Sequence, residues 1–334
     1  MTGDRVGLND IPRLVSVMVA MALVACENQR YEELRPDRIL DVGVPHNAGS
    51  TDSNAVLIGA GDIGDCTRPG VRMTGKVVDS LLNATTAEAW VFTLGDNAYD
   101  RGTATEFLEC YDPFWGRFRA VTRPVTGNHE WKHGQLLRVL PVFGNADPYF
   151  AYFSSFPGQV GEPDAPWYRY TAGSWDVIAL DPGKTRGIDR DDALWRWLEA
   201  ELTDPERSVC TLVYSHYPRF SVGTHGDNPR MRDVWELMDR LGVDVLVSGH
   251  DHKYQRFEPA TADGAPESSG IRQFVVGTGG GELRQRTRPS DGPVVLWSAD
   301  HYGVIKFTLS AGAYAWEFVT SAGVFDSGTG QCET

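Results

Sequence analysis

Short apolar runs alternate with amphipathic stretches from about residue 54 onward. The runs are five to seven residues long, too short for ordinary helices, and predict buried strands at residues 55–61, 89–94, 209–215 and 243–247. Helical patterns lie over residues 73–83, 105–111 and 189–202, and Asn228-Pro229 opens a further helix that Gly242 closes. Strands that alternate with helices in this way predict α/β layers.

The second half of the chain predicts more antiparallel strands. Residues 167–172 and 175–180 flank Gly173-Ser174 and predict a hairpin, and residues 274–276, 304–309 and 313–319 predict three later strands. Residues 141–166 are rich in aromatics, Gly and Pro and predict an irregular insertion over the site. Without an internal repeat, the pattern indicates one domain over residues 54–330.

The first residues indicate export rather than folded structure. An apolar run over residues 14–25 is too short to span a bilayer and ends in Leu23-Val24-Ala25-Cys26, which resembles a bacterial lipobox. Residues 1–26 are therefore predicted to be a lipoprotein-type signal peptide, with a plain signal peptide and an incidental cysteine as the alternative. Residues 27–53 are polar and aperiodic and predict a flexible tether.

Composition narrows the choice of partner and compartment. The chain has 334 residues, 41% apolar, and a formal net charge of -14. This charge argues against nucleic-acid binding, which needs a basic face, but not against small phosphate substrates, because bound metals reverse the local field. Besides Cys26, four cysteines remain, an even number that permits two disulfides in an exported protein with three possible pairings.

Five short blocks carry the candidate chemistry, and most of them follow an apolar run. Their Asp, Asn, His and Tyr side chains are hard or borderline metal ligands, which strand ends bring to one edge of a sheet. The blocks are Gly61-Asp62-Ile63-Gly64, Gly95-Asp96-Asn97-Ala98-Tyr99, Gly127-Asn128-His129-Glu130, Val213-Tyr214-Ser215-His216 and Gly249-His250-Asp251-His252. They predict one dinuclear metal site.

Each block alone also has an ordinary structural explanation. Asp62 and Asp96 would serve equally well as helix caps, and His250 with His252 would serve as a core histidine pair. Tyr99 would simply pack, while Asp251, Glu130 and Asp65 either orient ligands or are solvated. All five blocks in this order favour the metal site over these separate explanations.

With these blocks, the chain resembles a calcineurin-like metallophosphoesterase, and within that superfamily the purple acid phosphatase branch, of the exported single-domain bacterial type. The resemblance covers residues 54–330 and implies an α/β fold with two mixed β-sheets packed face to face and flanked by helices, an αββα sandwich. The branch assignment depends on two positions. Gly64 stands where most members carry a metal-binding His, and Tyr99 replaces the missing ligand.

The family pattern implies a role for each matching residue. The first metal is expected on Asp62, Asp96, Tyr99 and His252, and the second on Asp96, Asn128, His216 and His250, with Asp96 as the bridge. A phenolate ligand favours Fe(III), so the resemblance implies Fe(III) paired with divalent Fe, Zn or Mn. His129 and His225 are expected to contact the substrate, and one or the other to protonate the leaving group.

The activity implied by the resemblance is hydrolysis of small phosphoesters by a metal-bound hydroxide, most simply as an acid or alkaline phosphomonoesterase. A phosphodiesterase or nucleotidase with the same site is the close alternative. A surface protein that binds without catalysis and keeps its metals for structure is the remote one. Membrane contact is expected only through the N-terminal lipid, and the oligomeric state stays open.

Among the three possible cysteine pairings, we predict Cys66–Cys110 and Cys210–Cys332. The first pair flanks the first two metal blocks, so a bridge there braces the loops that carry Asp62 and Tyr99. The second pair joins the start of the strand that leads to His216 to the C-terminal tail.

Overall fold

The run that opens the predicted domain forms strand β1 (Ala55–Ala60), and all of its residues are buried. The structure, a computed structural model, describes residues 54–135, 146–156, 158–185 and 187–332. The predicted signal peptide (1–26) and tether (27–53) lie outside this part. None of the helices in the described ranges combines the length and apolar character that a membrane crossing requires.

The first sheet has six strands in the spatial order β13-β12-β11-β1-β2-β3. Its central strand β1 pairs in parallel with β2 and antiparallel with β11, so its backbone is hydrogen-bonded along both edges. The other strands of this sheet are β2 (Glu88–Leu94), β3 (Thr122–Val125), β11 (Gly303–Ser310), β12 (Ala313–Thr320) and β13 (Gly323–Gln331).

The second sheet has seven strands in the spatial order β10-β8-β9-β7-β6-β5-β4. Its centre is parallel, from β5 through β6 and β7 to β9, and its outer strands pair antiparallel. The strands are β4 (Tyr168–Ala172), β5 (Trp175–Ala179), β6 (Cys210–Ser215), β7 (Val245–Ser248), β8 (Tyr254–Phe257), β9 (Arg272–Val276) and β10 (Val294–Ser298).

Successive residues along the strands of the second sheet face two different apolar cores. Leu212 and Tyr214 of β6 lie in the core shared with the first sheet, where the Tyr214 ring lies 5.3 Å from Phe92 of β2. Val213 between them lies in the other core, with helices α5 (Ala193–Leu202) and α6 (Arg232–Arg240).

On the other side of the sandwich, helix α1 (Gly70–Ala84) packs against β1, β11 and β12. The layers are therefore helix, sheet, sheet, helix, and the predicted fold class is confirmed. The remaining described helices are α2 (Ala104–Glu106), α3 (Asp112–Trp115) and α4 (Asp147–Phe153), with a π-helical stretch at Phe107–Tyr111 and 3₁₀ turns at Gly116–Val121, Glu130–Gln135 and Pro229–Met231.

Two local expectations need correction. The stretch 141–166 is not wholly irregular, because α4 lies within it, opened by Asp147-Pro148. Its rings pack into the main core, as Tyr149 and Phe153 are fully buried. The helix ending at Leu202 begins after Asp192, and the predicted cap Asp189 instead donates its backbone N–H to the Asp192 carboxylate at 2.9 Å.

Both predicted disulfides are present. Cys66–Cys110 joins the loop after β1 to the helical segment after β2, at a sequence separation of 44, and Cys210–Cys332 ties β6 to the end of β13 at a separation of 122. Each closes a long loop, which in the chain-entropy account stabilises a domain by about 2–4 kcal/mol. Such bonds persist in oxidising compartments.

Candidate metal centre

Turns directly after five parallel strands carry the predicted ligands. Asp62 follows β1, Asp96 follows β2 and His250 follows β7, and all three adopt left-handed backbone geometry, with φ of 60°, 50° and 68°. Such geometry in residues other than glycine costs about 1–3 kcal/mol and is concentrated at functional sites. The tight turns aim side chains from both sheets at the same edge of the sandwich.

The first group of donor atoms surrounds the Tyr99 hydroxyl. Tyr99 Oη lies 2.8 Å from Asp62 Oδ1, 3.1 Å from His252 Nε2 and 3.2 Å from Asp96 Oδ2. His252 Nε2 is in turn 3.2 Å from Asp62 Oδ1. Three oxygens and one nitrogen thus meet around one point, in a donor set that suits a hard or borderline cation.

The second group surrounds His216. Its Nε2 atom lies 3.2 Å from Asn128 Oδ1, 3.1 Å from His250 Nδ1 and 3.5 Å from Asp96 Oδ2. Ligand atoms of Asp96, His216 and His250 lie within 4.8 Å of one another. Asp96 Oδ2 thus faces both groups of donor atoms.

Two imidazoles are held with the Nε2 lone pair toward these groups. His216 Nδ1 lies 2.7 Å from the Leu94 carbonyl oxygen, and His252 Nδ1 lies 2.8 Å from that of Glu282. A carbonyl only accepts, so each Nδ1 carries the proton and each Nε2 is left free to bind a cation. The residues present therefore fit a pair of metal ions.

The electrostatics of the first group favour a cation. Burial raises the pKa of the Tyr99 phenol well above its usual range, and the Asp62 and Asp96 carboxylates raise it further. The pKa of the Asp62 carboxyl shifts in the opposite direction. Burial raises this pKa, but the charge and hydrogen bond of His252 outweigh burial, and the pKa lies below its usual range. Only a strong positive charge at this point would make Tyr99 a phenolate.

Glu130 ties two of the ligand loops together. Its fully buried carboxylate accepts backbone N–H bonds from Gly127 at 2.6 Å, Asn97 at 2.7 Å, Asp96 at 3.0 Å and Ala98 at 3.3 Å. Burial and the Asp96 charge hold the pKa of Glu130 well above its usual range, although the backbone N–H groups lower it. Four donors on two oxygens fit the ionised carboxylate, which acts here by orienting the loops.

His225 is positioned by Asp251. The buried Asp251 carboxylate lies 3.0 Å from both the backbone N and the ring Nδ1 of His225, and its other oxygen accepts the Ser221 hydroxyl at 2.5 Å. The His225 ring stacks on His250, with centroids 4.0 Å apart. Of the carboxylates with an open role, Asp251 and Glu130 are buried, whereas Asp65 accepts from the neighbouring Thr67 near the surface.

His129 lies on the side of the centre away from His225. It lines a cavity of about 450 Å³ that is also lined by Tyr99 and His252. Its Nδ1 lies 3.0 Å from the Asp100 carboxylate, and its Nε2 lies 2.7 Å from Lys132 Nζ. The structure thus brings all seven predicted ligands and both predicted proton donors, His129 and His225, around one centre.

The surroundings of Gly64 explain why the first block has no histidine at this position. A Cβ at Gly64 would lie 2.5 Å from the Asn97 carbonyl oxygen, so no larger side chain fits there. The backbone of Gly64 bridges to the loop that carries Tyr99, whose N–H donates to the Gly64 oxygen at 3.0 Å. Tyr99 reaches the first donor group instead.

One contributing segment was not anticipated. Residues 279–290, which we call the strap, run between β9 and β10 past the centre, and the Gly281 N–H donates to the Asp62 carbonyl oxygen at 2.7 Å. A Cβ at Gly281 would lie 3.1 Å from the His252 ring. The run Gly279-Gly280-Gly281 is the sequence signal for this close approach, because only glycine lets a backbone come so near.

The sequence is similar to those of known phosphoesterases. Residues 56–254 match the profile of the calcineurin-like phosphoesterase family. Similar proteins include purple acid phosphatase 21 of Arabidopsis thaliana (29% identical, covering 59% of this chain and 47% of the relative) and an acid phosphatase of Aspergillus ficuum (27% identical, covering 37% and 24%). The chain spans less than half the length of these relatives.

Among solved structures, the purple acid phosphatase PPD1 of yellow lupin (Lupinus luteus) has a similar fold. Its TM-score is 0.66 at 19% sequence identity, and the match covers 84% of this chain and 54% of the other. GAP50 of Plasmodium is also similar, with a TM-score of 0.62 at 14% identity, covering 84% and 90%. At these identities the likeness concerns the fold.

Proposed function

Because the chain belongs to the calcineurin-like phosphoesterase family, we propose that it hydrolyses phosphate monoesters at a dinuclear metal centre. The observation that carries this proposal is the placement of Asp96 Oδ2, which lies 3.2 Å from Tyr99 Oη in one donor group and 3.5 Å from His216 Nε2 in the other. One carboxylate oxygen between two groups of ligand atoms suits a bridge between two ions.

In this proposal the two donor groups are the two metal sites. The first consists of Asp62, Asp96, Tyr99 and His252, and the second of Asp96, Asn128, His216 and His250. When bound, such a pair supplies a nucleophile from water near neutral pH and neutralises charge on the phosphoryl oxygens. The chain itself fixes the spacing through Asp96 and the loop geometry through Glu130.

Two histidines are placed to handle the proton of the leaving group. The His225 ring is held through Nδ1 by Asp251, which leaves Nε2 free to donate to a leaving oxygen. His129 lines the cavity from the other side and also donates its backbone N–H to Asp96 Oδ1 at 2.8 Å. A leaving group that lies toward either side therefore meets an imidazole.

We propose Fe(III) at the first site and divalent Fe, Zn or Mn at the second. Support comes from Tyr99, whose buried phenol needs a highly charged ion to ionise beside two carboxylates. The second group contains a neutral amide oxygen and two imidazoles, which suit a divalent ion.

The monoester preference is tested by comparing turnover of phenyl phosphate and bis(phenyl) phosphate by the metal-loaded full chain. We expect kcat/KM for the monoester to be higher by about tenfold or more, a difference of about 1.4 kcal/mol in barrier. A preference for the diester would favour the phosphodiesterase alternative. Binding of phosphate without turnover of either ester would favour the surface binding protein.

We also propose that the protein is exported and tethered by a lipid on Cys26. Support comes from the apolar run that ends in Leu-Val-Ala-Cys and from two disulfides, which fit an oxidising compartment. Mass spectrometry of the membrane fraction should detect a lipid-modified N-terminal cysteine. A mature form cut at another residue would contradict the tether.

A further inference from the structure

The strap places a cationic side chain at the mouth of the centre. The Arg284 N–H donates to the His252 carbonyl oxygen at 3.1 Å, so the backbone of this residue is fixed beside a proposed metal ligand. The Arg284 side chain is partly exposed and lines the cavity of about 450 Å³ together with Tyr99, His129 and His252. It therefore borders the open space beside the first donor group.

Arg284 has no carboxylate partner among the described residues, although acidic residues outnumber basic ones by 45 to 31 in this chain. Several other arginines do have carboxylate partners. Arg68, which lines the same cavity, pairs with Glu282 at 2.8 Å, and Arg256 pairs with Asp326 at 2.8 Å. In so acidic a protein, an unpaired guanidinium beside a phosphate site is available to an external anion.

The carboxylates that also line this cavity already have donors. Glu282 is paired with Arg68, and Glu106 accepts backbone N–H bonds from Arg101 at 3.0 Å and Thr103 at 2.9 Å. Asp65 accepts from Thr67 and Asp100 from His129, so each negative charge has a local partner other than Arg284.

We propose that Arg284 is a specificity-determining residue that binds a second anionic group on the leaving-group side of the substrate. The enzyme would then favour phosphoesters whose leaving group carries a further phosphate or carboxylate, since guanidinium forms strong paired hydrogen bonds with both. This inference rests on the proposed phosphohydrolase function.

The test compares three substrates with the metal-loaded full chain: ethyl phosphate, 2-phosphoglycolate and pyrophosphate. In Arg284→Gln, kcat/KM should fall by about tenfold for the substrates with a second anionic group and change by less than about twofold for ethyl phosphate. Arg286→Gln is the matched control, because Arg286 is an exposed arginine of the same strap that does not line the cavity. A loss only with pyrophosphate, or only with phosphoglycolate, identifies which anion is bound.

Equal losses on all three substrates, or no loss on any, would overturn the role of Arg284. Calorimetry adds a readout that does not need turnover: Arg284→Gln should weaken binding of methylenediphosphonate but not of methylphosphonate. If the wild type hydrolyses none of the esters, the proposed function fails. The calorimetric comparison then still decides whether Arg284 binds a second anion, and equal binding by the variant and wild type would refute it.

Discussion

At the scale of single residues, Tyr99 distinguishes this centre from an ordinary dinuclear site. Its hydroxyl lies within 3.2 Å of Asp62, Asp96 and His252, while Gly64 leaves no room for a side chain. A phenolate on Fe(III) gives a charge-transfer band in the visible. The identity of the first metal therefore has an optical signature that depends on one oxygen atom.

We predict that iron-loaded wild type is coloured and that Tyr99→Phe loses the visible band. The variant should retain part of its turnover, because Asp96, Asn128 and the histidines remain. Absorption spectra of both proteins at equal iron content provide the measurement. Tyr302→Phe is the control, as this half-buried tyrosine lies outside the two donor groups. A band that survives in Tyr99→Phe would remove Tyr99 from the ligand set.

At the scale of elements, the centre depends on loops that lie far apart in sequence but are tied together. Glu130 sits 32 to 34 positions after the Asp96-Asn97-Ala98 turn and accepts N–H bonds from all three of its residues, and from Gly127 in its own loop. The carboxylate thus fixes the β2 and β3 turns relative to each other. Ligand groups on both turns depend on it.

Replacing Glu130 with Gln should weaken metal binding by about 10–100-fold, as loss of supporting hydrogen bonds does at other metal sites. It should also lower the unfolding free energy by about 1–3 kcal/mol for each N–H left without an acceptor. Metal titration and urea denaturation measure the two effects. Glu106→Gln is a matched control, because Glu106 also accepts backbone N–H bonds but lies nearer to solvent. Equal effects of the two variants would contradict a special role for Glu130.

The elements that the sequence predicted best were those whose apolar runs are continuous. The strands that precede Asp62, Asp96 and His216 could be located because burial on both faces removes polar residues from the run. The strap could not be located, since a glycine-rich segment has no hydrophobic period. Helix α4 was missed because its rings face the core from a short element of seven residues.

The ligand residues were recognisable because each sits next to a turn in a recurring block. For Glu130 and Asp251 the sequence left open whether they orient ligands or are solvated, because their partners depend on pairing across the fold. The Asp251–His225 contact joins two different loops, and the Arg284 position follows from a strap whose path the sequence does not reveal. The net charge of -14 likewise gives no indication of Arg284, which has no carboxylate partner in the described part of the chain.

At the scale of the whole molecule, a buried carboxylate behind the centre makes stability depend on pH. Asp181 accepts hydrogen bonds from the backbone N–H and hydroxyl of Thr126, at 2.6 and 2.8 Å, and from the Gly183 N–H. Burial raises its pKa to about 6, although these hydrogen bonds lower it. The folded state therefore holds this proton more tightly than the unfolded state.

The sign of the effect follows from linkage. A pKa that is raised on folding contributes stability that is fully present below about pH 4 and is lost as pH rises through about 6. Relative to Asp181→Asn, the wild type should therefore lose unfolding free energy, by up to about 3 kcal/mol, between about pH 4 and pH 7. Urea denaturation at both pH values checks this, with the surface variant Asp189→Asn as control. A constant difference between wild type and Asp181→Asn would contradict it.

The measurement that tests the central claim most directly is metal content together with turnover, for wild type and Asp96→Asn purified without chelators. We predict about two metal ions per wild-type chain, hydrolysis of phenyl phosphate that a chelator abolishes and metal restores, and loss of turnover in a folded Asp96→Asn variant with fewer ions bound. The account is contradicted if the wild type is active with one ion or none, or if Asp96→Asn keeps two ions and near-normal turnover.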